Sequence, residues 1–485
     1  MPTLDALISA HGGEVVDGTT RLSAAQANEL VATLAGGLKV RGVSRGATVA
    51  WQVPNSLAAA VLARACWRIG AVAAPILHSF GAAEVESVLA QIEPALVVEP
   101  RLHQLSDPAA LADAFGGPPV AVGACPSAPS DVALVLFTSG STGRPKAVLH
   151  THRGLSWKAA LMANVHGLSA DDAVLMPAPM AHISGLLNGV LVPGAAGLRS
   201  VMVRRFDPEQ ALALVAREGI SFLAGPPTFF IAMASVLNGS TSGRTDGTDV
   251  SSVRLISSGG ASVTPAFIED TARSFRCRVK RTYGSTEAPT VTTSTNDDPF
   301  EQARDTDGRA VGYVELRVSD PDSGVRRSPG SSGELWVRGP EMFAGYADPE
   351  QTSAVISSGG WFRTGDLATV DEDGWLRIVG RLKDVIIRGG ENISASEVEA
   401  ALEAHPDVRH AVAVGYPDPL MGERVAAFVE STTPFDLEEC RRWFATRGIA
   451  KFKTPEKVMR LHRLPQLGSG KADRSALQRR AAETP

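Results

Sequence analysis

The sequence predicts an α/β protein: a large N-terminal α/β domain with mixed sheets, followed by a small α+β C-terminal domain. Three observations carry that expectation. Helical and strand patterns alternate over residues 1–130 and continue beyond them, as in sheets covered by helices. From Gly308 to Val379 short strands and turns replace the alternation. Gly380-Arg381-Leu382-Lys383-Asp384 then reads as a boundary after which the pattern restarts, which places the domains at 1–382 and 383–485. A chain of 485 residues is long enough to bury a core in each.

Composition narrows the class. With 44% apolar and 20% charged residues the chain reads as an ordinary soluble globular protein. Its net charge of −5 offers no electrostatic footprint for nucleic acid or an anionic membrane. Met1-Pro2-Thr3-Leu4-Asp5 lacks the basic and apolar regions of a signal peptide, and no run of 18 residues escapes polar interruption, so no transmembrane segment is expected. Cys66, Cys125, Cys277 and Cys440 are scattered without metal or redox spacing, which fits reduced thiols in a cytoplasmic protein.

Taken in order, apolar residues at helical spacing over 24–38 predict a helix, and Gly42 to Gly46 turns the chain into a strand at 48–51. A second helix is expected over 57–69, then strands at 71–75 and 96–98. The stretch Phe137-Thr138-Ser139-Gly140-Ser141-Thr142-Gly143-Arg144-Pro145-Lys146 lies between the apolar runs 133–136 and 147–149, so it reads as strand, tight loop and strand. Glycines let backbone N–H groups converge on an anion, hydroxyls add donors, and Arg and Lys add charge, so a polyphosphate is the natural guest. It is not the Gly-x4-Gly-Lys-Ser/Thr loop, because Arg144-Pro145 separate Gly143 from Lys146. A polar surface hairpin is the bland reading of the same residues.

A helix over 155–165 and a strand at 174–176 lead to Pro179-Met180-Ala181-His182-Ile183-Ser184-Gly185-Leu186. Here Gly185 and Gly189, among apolar residues, either leave room for a substrate tail or let helices pack closely, with His182 at the mouth. Asp207-Pro208-x-Gln210 starts a helix reaching about 217, residues 220–224 return as a strand, and 238–252 form a Gly/Ser/Thr/Asp-rich surface loop. Two further strands run into Ser257-Ser258-Gly259-Gly260-Ala261 and Thr282-Tyr283-Gly284-Ser285-Thr286-Glu287-Ala288. Ligands of α/β proteins sit at such strand ends. The second turn offers an aromatic face for a base, a glycine for close approach, hydroxyls for phosphate and one carboxylate. One carboxylate suffices for Mg²⁺ held beside phosphate oxygens; a strand-end turn with a solvated Glu is the bland reading of the same residues.

Gly365-Asp366 sets a carboxylate at a strand start, suited to a ribose diol, and Asp373-Gly374 is a hairpin turn. In the last hundred residues the pattern predicts a strand at 385–387 and a capping box Ser394-x-x-Glu397 opening a helix that stops before Pro406. Strands at 411–414 and 426–429, a helix after Asp436 and a strand at 457–461 follow. Gly468-Ser469-Gly470-Lys471 then precedes Asp473, the cap of a last helix.

Five motifs in one order now stand together: 138–146, 283–287, 361–366, 380–384 with Gly389-Gly390-Glu391-Asn392, and Gly470-Lys471. This set resembles the adenylate-forming superfamily, in its acyl-CoA synthetase and fatty-acid–CoA ligase branch, over about residues 22–477. By motif position the resemblance implies that Thr138, Ser139, Gly140, Ser141, Thr142, Gly143 and Lys146 cover the β- and γ-phosphates of ATP. Gly259, Gly260, Ala261 and Tyr283 would flank the adenine, with Gly284 and Ser285 in the same turn. Thr286 would touch the α-phosphate, Glu287 would hold Mg²⁺, and Asp366 and Arg381 would bind the ribose hydroxyls. Lys471 would bridge the acid's carboxylate and the α-phosphate, and His182 would stand beside the acyl site. The resemblance also makes Lys383 the hinge of a mobile C-terminal domain and lines the path of coenzyme A with Gly389 and Gly390.

The chemistry so implied is attack of a carboxylate oxygen on the α-phosphate of ATP, giving an acyl-adenylate and pyrophosphate, followed by displacement of AMP by a thiol. Amino-acid-activating relatives carry an Asp near the acyl His; residues 180–186 hold no carboxylate, so a fatty, alicyclic or aromatic acid is expected. Arg388-Gly389-Gly390-Glu391-Asn392 looks most like short- and medium-chain acyl-CoA ligases. No carrier-protein pattern follows residue 485, which makes free coenzyme A the expected acceptor. The rivals are an acyl-AMP ligase serving a carrier protein and a non-catalytic nucleotide sensor; the presence of Lys471 speaks against the sensor. Departures such as Gly46-Ala47 and Ala147 touch none of the implied catalytic groups.

Overall fold

The computed structural model describes residues 1–98, 107–125, 127–138, 145–239, 249–261, 263–388, 391–467 and 471–484. Of the residues expected at the site, Ser139, Gly140, Ser141, Thr142, Gly143, Gly389 and Gly390 lie outside the described residues. The chain divides into two compact units, Met1–Glu315 with Val337–Trp361, and Leu316–Trp336 with Phe362–Pro485. Lys383 lies inside the second unit, in the 3-10 turn Leu382–Asp384.

The first unit is α/β with mixed sheets, as the alternating patterns require. Among the described residues it holds a nine-stranded and a six-stranded sheet. In the larger, Val15–Asp17, Arg199–Met202, Ala173–Met176, Phe222–Gly225, Leu255–Gly259 and Arg278–Tyr283 lie side by side and parallel. Ala173–Met176 and Phe222–Gly225 are buried throughout, as strands covered on both faces must be. The six-stranded sheet sets parallel Leu96–Val98, Thr48–Trp51, Val72–Pro75 and Val132–Thr138 beside the antiparallel Lys146–Thr151, with Gly345–Tyr346 as its edge.

Local rules explain the helix limits. The Asp207 carboxylate accepts the Gln210 N–H and Pro208 takes the first helical position of Pro208–Glu218, as expected. The helix expected over 155–165 runs from His152 to His166, because the Thr151 hydroxyl accepts the Gly154 N–H and opens it three residues earlier. Gly167, at φ +59°, closes it.

The second unit contains the antiparallel pair Phe362–Val370 and Leu376–Arg381, whose turn includes Gly374 at φ +85°. Its five-stranded sheet orders Glu391–Ser394, Val385–Arg388, Gly422–Ser431 and Val408–Asp418, with Lys457–Arg460 also paired to Gly422–Ser431. One expectation fails here. Ser394 makes no side-chain cap on the helix Ala395–Glu403. Its hydroxyl donates instead to the Val379 carbonyl at 2.7 Å, joined there by Ser396 at 2.9 Å, and Glu397 pairs with Lys453. The two hydroxyls stand so close to Gly380 that a Cβ on it would meet the Ser394 Oγ at 2.7 Å, which is why glycine is needed there.

Candidate active site

The carboxyl ends of the parallel strands gather the first group of residues. Gly259 pairs with Thr282 across neighbouring strands, and a Cβ on Gly259 would meet the Thr282 carbonyl at 2.1 Å. Gly260 turns the chain at φ +78° into Ala261. After Tyr283 the chain closes on itself: Ser285 N–H donates to the Ala288 carbonyl, and the Ser285 hydroxyl accepts the Ala288 N–H. A Cβ on Gly284 would meet the Thr290 nitrogen at 2.4 Å. Ser285 is thus occupied in shaping the turn, which presents Thr286 and Glu287 half-buried.

On the other sheet, Thr138 and Lys146 face one another as the last paired residues of the antiparallel strands. The Lys146 ammonium lies 4.9 Å from the centroid of the Tyr346 ring, and the Tyr346 hydroxyl donates to Glu287 Oε1 at 2.8 Å. A cation and a carboxylate are therefore held by the two ends of one side chain. Burial, reinforced by the Glu287 charge, pushes the Tyr346 phenol well above its ordinary value, so it remains a donor. Burial holds the His150 imidazole down at about 4, against an opposing contribution from the Thr286 backbone, so it is neutral. Lys158, fully buried, donates to the Thr290 carbonyl at 2.9 Å and to Glu341 at 2.8 Å.

The acyl segment follows the Ala173–Met176 strand. His182 caps a continuous helical stretch: Ile183–Leu186, a π-turn over Leu187–Leu191, and Val192–Ala196. Such π-turns concentrate at functional sites. A Cβ on Gly185 would meet the Pro179 carbonyl at 2.0 Å, and one on Gly189 would meet Met176 Cγ at 2.8 Å. Both positions are closely packed on the face where a Cβ would stand. The approach to His182 is shaped by Asn55, a buried residue whose amide donates to the Met176 and Ala178 carbonyls and whose oxygen accepts the Met180 N–H at 2.7 Å.

In the second unit, Asp366 and Arg381 are direct partners across the antiparallel pair, and Arg381 Nε lies 2.6 Å from Asp366 Oδ1. The carboxylate is buried and the guanidinium half-exposed. Thr364 shapes this corner: its hydroxyl accepts the Asp366 N–H and donates to the Leu335 carbonyl. Lys471 is exposed, its carbonyl accepting the Leu467 N–H at 2.7 Å. Three residues on, Arg474 donates to the Ala413 carbonyl and to Glu399. Asp473 caps the last helix, Arg474–Glu483, as expected.

Residues 5–347 match the AMP-binding enzyme family, and residues 397–471 match the AMP-binding enzyme C-terminal domain. The chain is 32% identical over 513 residues to a medium-chain fatty-acid–CoA ligase of Escherichia coli, covering 99% of this chain and 88% of that protein. It is 33% identical over 492 residues to a feruloyl-CoA synthase of Amycolatopsis, covering 99% and 98%. This chain belongs to the AMP-binding enzyme family, in its acyl-CoA synthetase branch. The synthetase also matches the ATP-bound structure of MatB from Rhodopseudomonas palustris, with a TM-score of 0.89, 27% identity and 99% of each chain covered.

Against the resemblance, the synthetase brings Thr138, Lys146, Tyr283, Thr286 and Glu287 into its first unit and Asp366, Arg381, Lys383 and Lys471 into its second. Tyr346, His150, Lys158 and Asn55 were not singled out in the sequence. Tyr346 has one local signal, Gly345 before it at φ +135°, a conformation that favours glycine. The donor set suits Mg²⁺. Among the described residues no three His, Cys, Asp or Glu side chains cluster as a metal cage. Glu287 stands as a single carboxylate with one oxygen engaged by Tyr346, which fits an ion that takes most of its ligands from phosphate and water. Among the described residues no helix is long and apolar enough to cross a membrane.

Proposed function

We propose that the synthetase converts a fatty, alicyclic or aromatic carboxylic acid, with ATP, to its acyl-adenylate and passes the acyl group to coenzyme A, releasing pyrophosphate and AMP. The observation that carries this reading is the Lys146–Tyr346–Glu287 arrangement. It sets a cation for the leaving phosphates and a carboxylate for their metal ion at fixed separation, beside the turn that presents Thr286. Relatives named for a medium-chain fatty acid and for ferulate, each matched over 99% of this chain, support an apolar acid and coenzyme A as acceptor. A cytoplasmic location fits substrates of this kind.

A carboxylate is a poor electrophile because its oxygen is a bad leaving group, and joining it to AMP removes that obstacle. In the proposed roles, Glu287 would hold Mg²⁺, and that ion would supply neutralisation of charge on the phosphates. Lys146 draws the β- and γ-phosphates away from the reacting centre. Thr286 and Lys471 stabilise charge on the α-phosphoryl oxygens as the acid's oxygen attacks in line. Asp366 accepts from the ribose hydroxyls, its position fixed by Arg381 and Thr364. Tyr283 and the Gly259-Gly260-Ala261 turn receive the adenine, and His182 orients the acid. Lys383 is the pivot between the adenylating and thioester-forming arrangements, the second using Gly389 and Gly390. ATP–pyrophosphate exchange across a panel of carboxylic acids, with thioester formation measured on adding coenzyme A, tests the reading. Exchange without any thioester would overturn the acceptor, and absence of exchange with every acid would overturn the activity.

A further inference from the structure

Tyr346 lies on the edge of the six-stranded sheet and bonds the turn that follows a strand of the nine-stranded one. It belongs to the two-residue edge strand Gly345–Tyr346, paired with Val148 of the strand that begins at Lys146. Its ring is set by its backbone. The Tyr346 N–H donates to Thr352 Oγ1 at 2.8 Å, and a Cβ on Gly345 would meet the same threonine at 3.0 Å. Phe343 packs edge-on against it, with centroids 5.0 Å apart. The ring is thereby buried under Lys146 with its hydroxyl directed at Glu287.

A merely structural tie between this strand and the Glu287 turn already exists, since the Phe343 N–H donates to the Glu287 carbonyl at 2.8 Å. The phenol adds nothing to the chain path. It acts on the carboxylate, satisfying Oε1 and fixing the direction in which the remaining lone pairs point. We propose that Tyr346 is a positioning residue for metal-dependent ATP binding: its hydroxyl orients Glu287 toward the metal ion, and its ring places the Lys146 ammonium on the phosphates. The inference rests on the reading of Glu287 as the metal-holding carboxylate. A side chain that hydrogen-bonds a metal-holding carboxylate governs affinity for the metal, by about 10–100-fold where such partners are removed.

The two ends of Tyr346 are separable. Tyr346→Phe deletes the hydroxyl and keeps the ring; Tyr346→Leu deletes both. The readout is equilibrium ATP binding by calorimetry without any acid, so that no turnover occurs, as a function of added Mg²⁺. Tyr346→Phe is expected to raise the Mg²⁺ concentration for half-maximal binding about 10-fold and to leave metal-free ATP binding unchanged. Tyr346→Leu is expected to weaken metal-free binding as well. In a Glu287→Gln background, Tyr346→Phe should add no further shift, because the two act as one unit. An unshifted Mg²⁺ midpoint in Tyr346→Phe, with Glu287→Gln strongly shifted, overturns the positioning role alone. An unshifted midpoint in Glu287→Gln overturns the metal assignment and this inference with it. Additive shifts in the double variant also refute it.

Discussion

Lys158→Met is a perturbation whose size follows from burial alone. Lys158 and Glu341 are 0% and 2% exposed, and the ammonium also bonds the Thr290 carbonyl. Methionine fills nearly the same volume but leaves the Glu341 carboxylate charged in the core, with Oε2 already lacking a partner. Breaking one side of a buried pair costs about 3–5 kcal/mol. The first unit spans about 340 residues, and at about 2.1 cal/mol/K per residue its unfolding entropy is about 0.7 kcal/mol/K, so Tm should fall by about 4–7 °C. Scanning calorimetry of the whole chain measures this. Lys158→Met/Glu341→Leu removes both charges and should recover most of the loss. A drop under about 1 °C in the single variant, or a double variant less stable than the single, would refute the reasoning.

The other predictions concern catalysis and pH. Lys471→Ala should abolish carboxylate-dependent pyrophosphate exchange while largely sparing thioester formation from preformed acyl-adenylate; retained exchange sinks the role given to Lys471. Asp366→Asn should raise the KM for ATP by about 10–100-fold, the scale of a charged hydrogen bond, with kcat less affected, as steady-state kinetics would show. Asn55→Ala removes three backbone partners from the approach to His182 and should raise the KM of the acid while sparing that of ATP. Burial holds the Glu403 carboxyl up at about 7, above its unfolded value of about 4.3. The folded state therefore keeps a proton that the unfolded state has lost between those values. Its stabilisation is full below about pH 4 and gone as pH rises past about 7. Glu403→Gln, always neutral, should match the parent near pH 4 and melt at a higher temperature near pH 8.

What was legible in the sequence was local. The apolar runs on either side of the 138–146 stretch gave the Thr138–Lys146 pairing, and Asp207-Pro208 gave a helix start, because both depend on neighbours a few positions apart. Ser394 looked equally local and was misread: its hydroxyl found the Val379 carbonyl 15 residues upstream, and a side chain in two competing geometries follows the one that tertiary contact supplies. Gly185 and Gly189 could not be resolved by pattern, since room for a tail and room for a neighbouring group both demand small residues; Pro179 and Met176 lie where their Cβ atoms would stand. Tyr346 and Lys158 meet partners 59 and 183 residues away, and a pairing of that span leaves no periodicity to read.

Those long-range pairs converge on one turn. Thr290 is bonded from Lys158, the Glu287 carbonyl from Phe343 and the Glu287 carboxylate from Tyr346. Lys158 comes from the helix that follows the strand beginning at Lys146, and Tyr346 from the strand beside it. Lys146 and Glu287, proposed for the phosphates and the metal ion, are thus mounted on one frame. Catalytic groups held this way contribute their electrostatic effect without reorganising at the moment of reaction. Lys471 is built differently: it is exposed and belongs to the other unit. In the proposed roles, the frame serves ATP and its metal ion, and Lys471 serves the adenylation step. Substitutions in the frame should therefore alter metal and nucleotide binding at equilibrium, whereas substitution of Lys471 should alter the adenylation rate with ATP binding nearly intact.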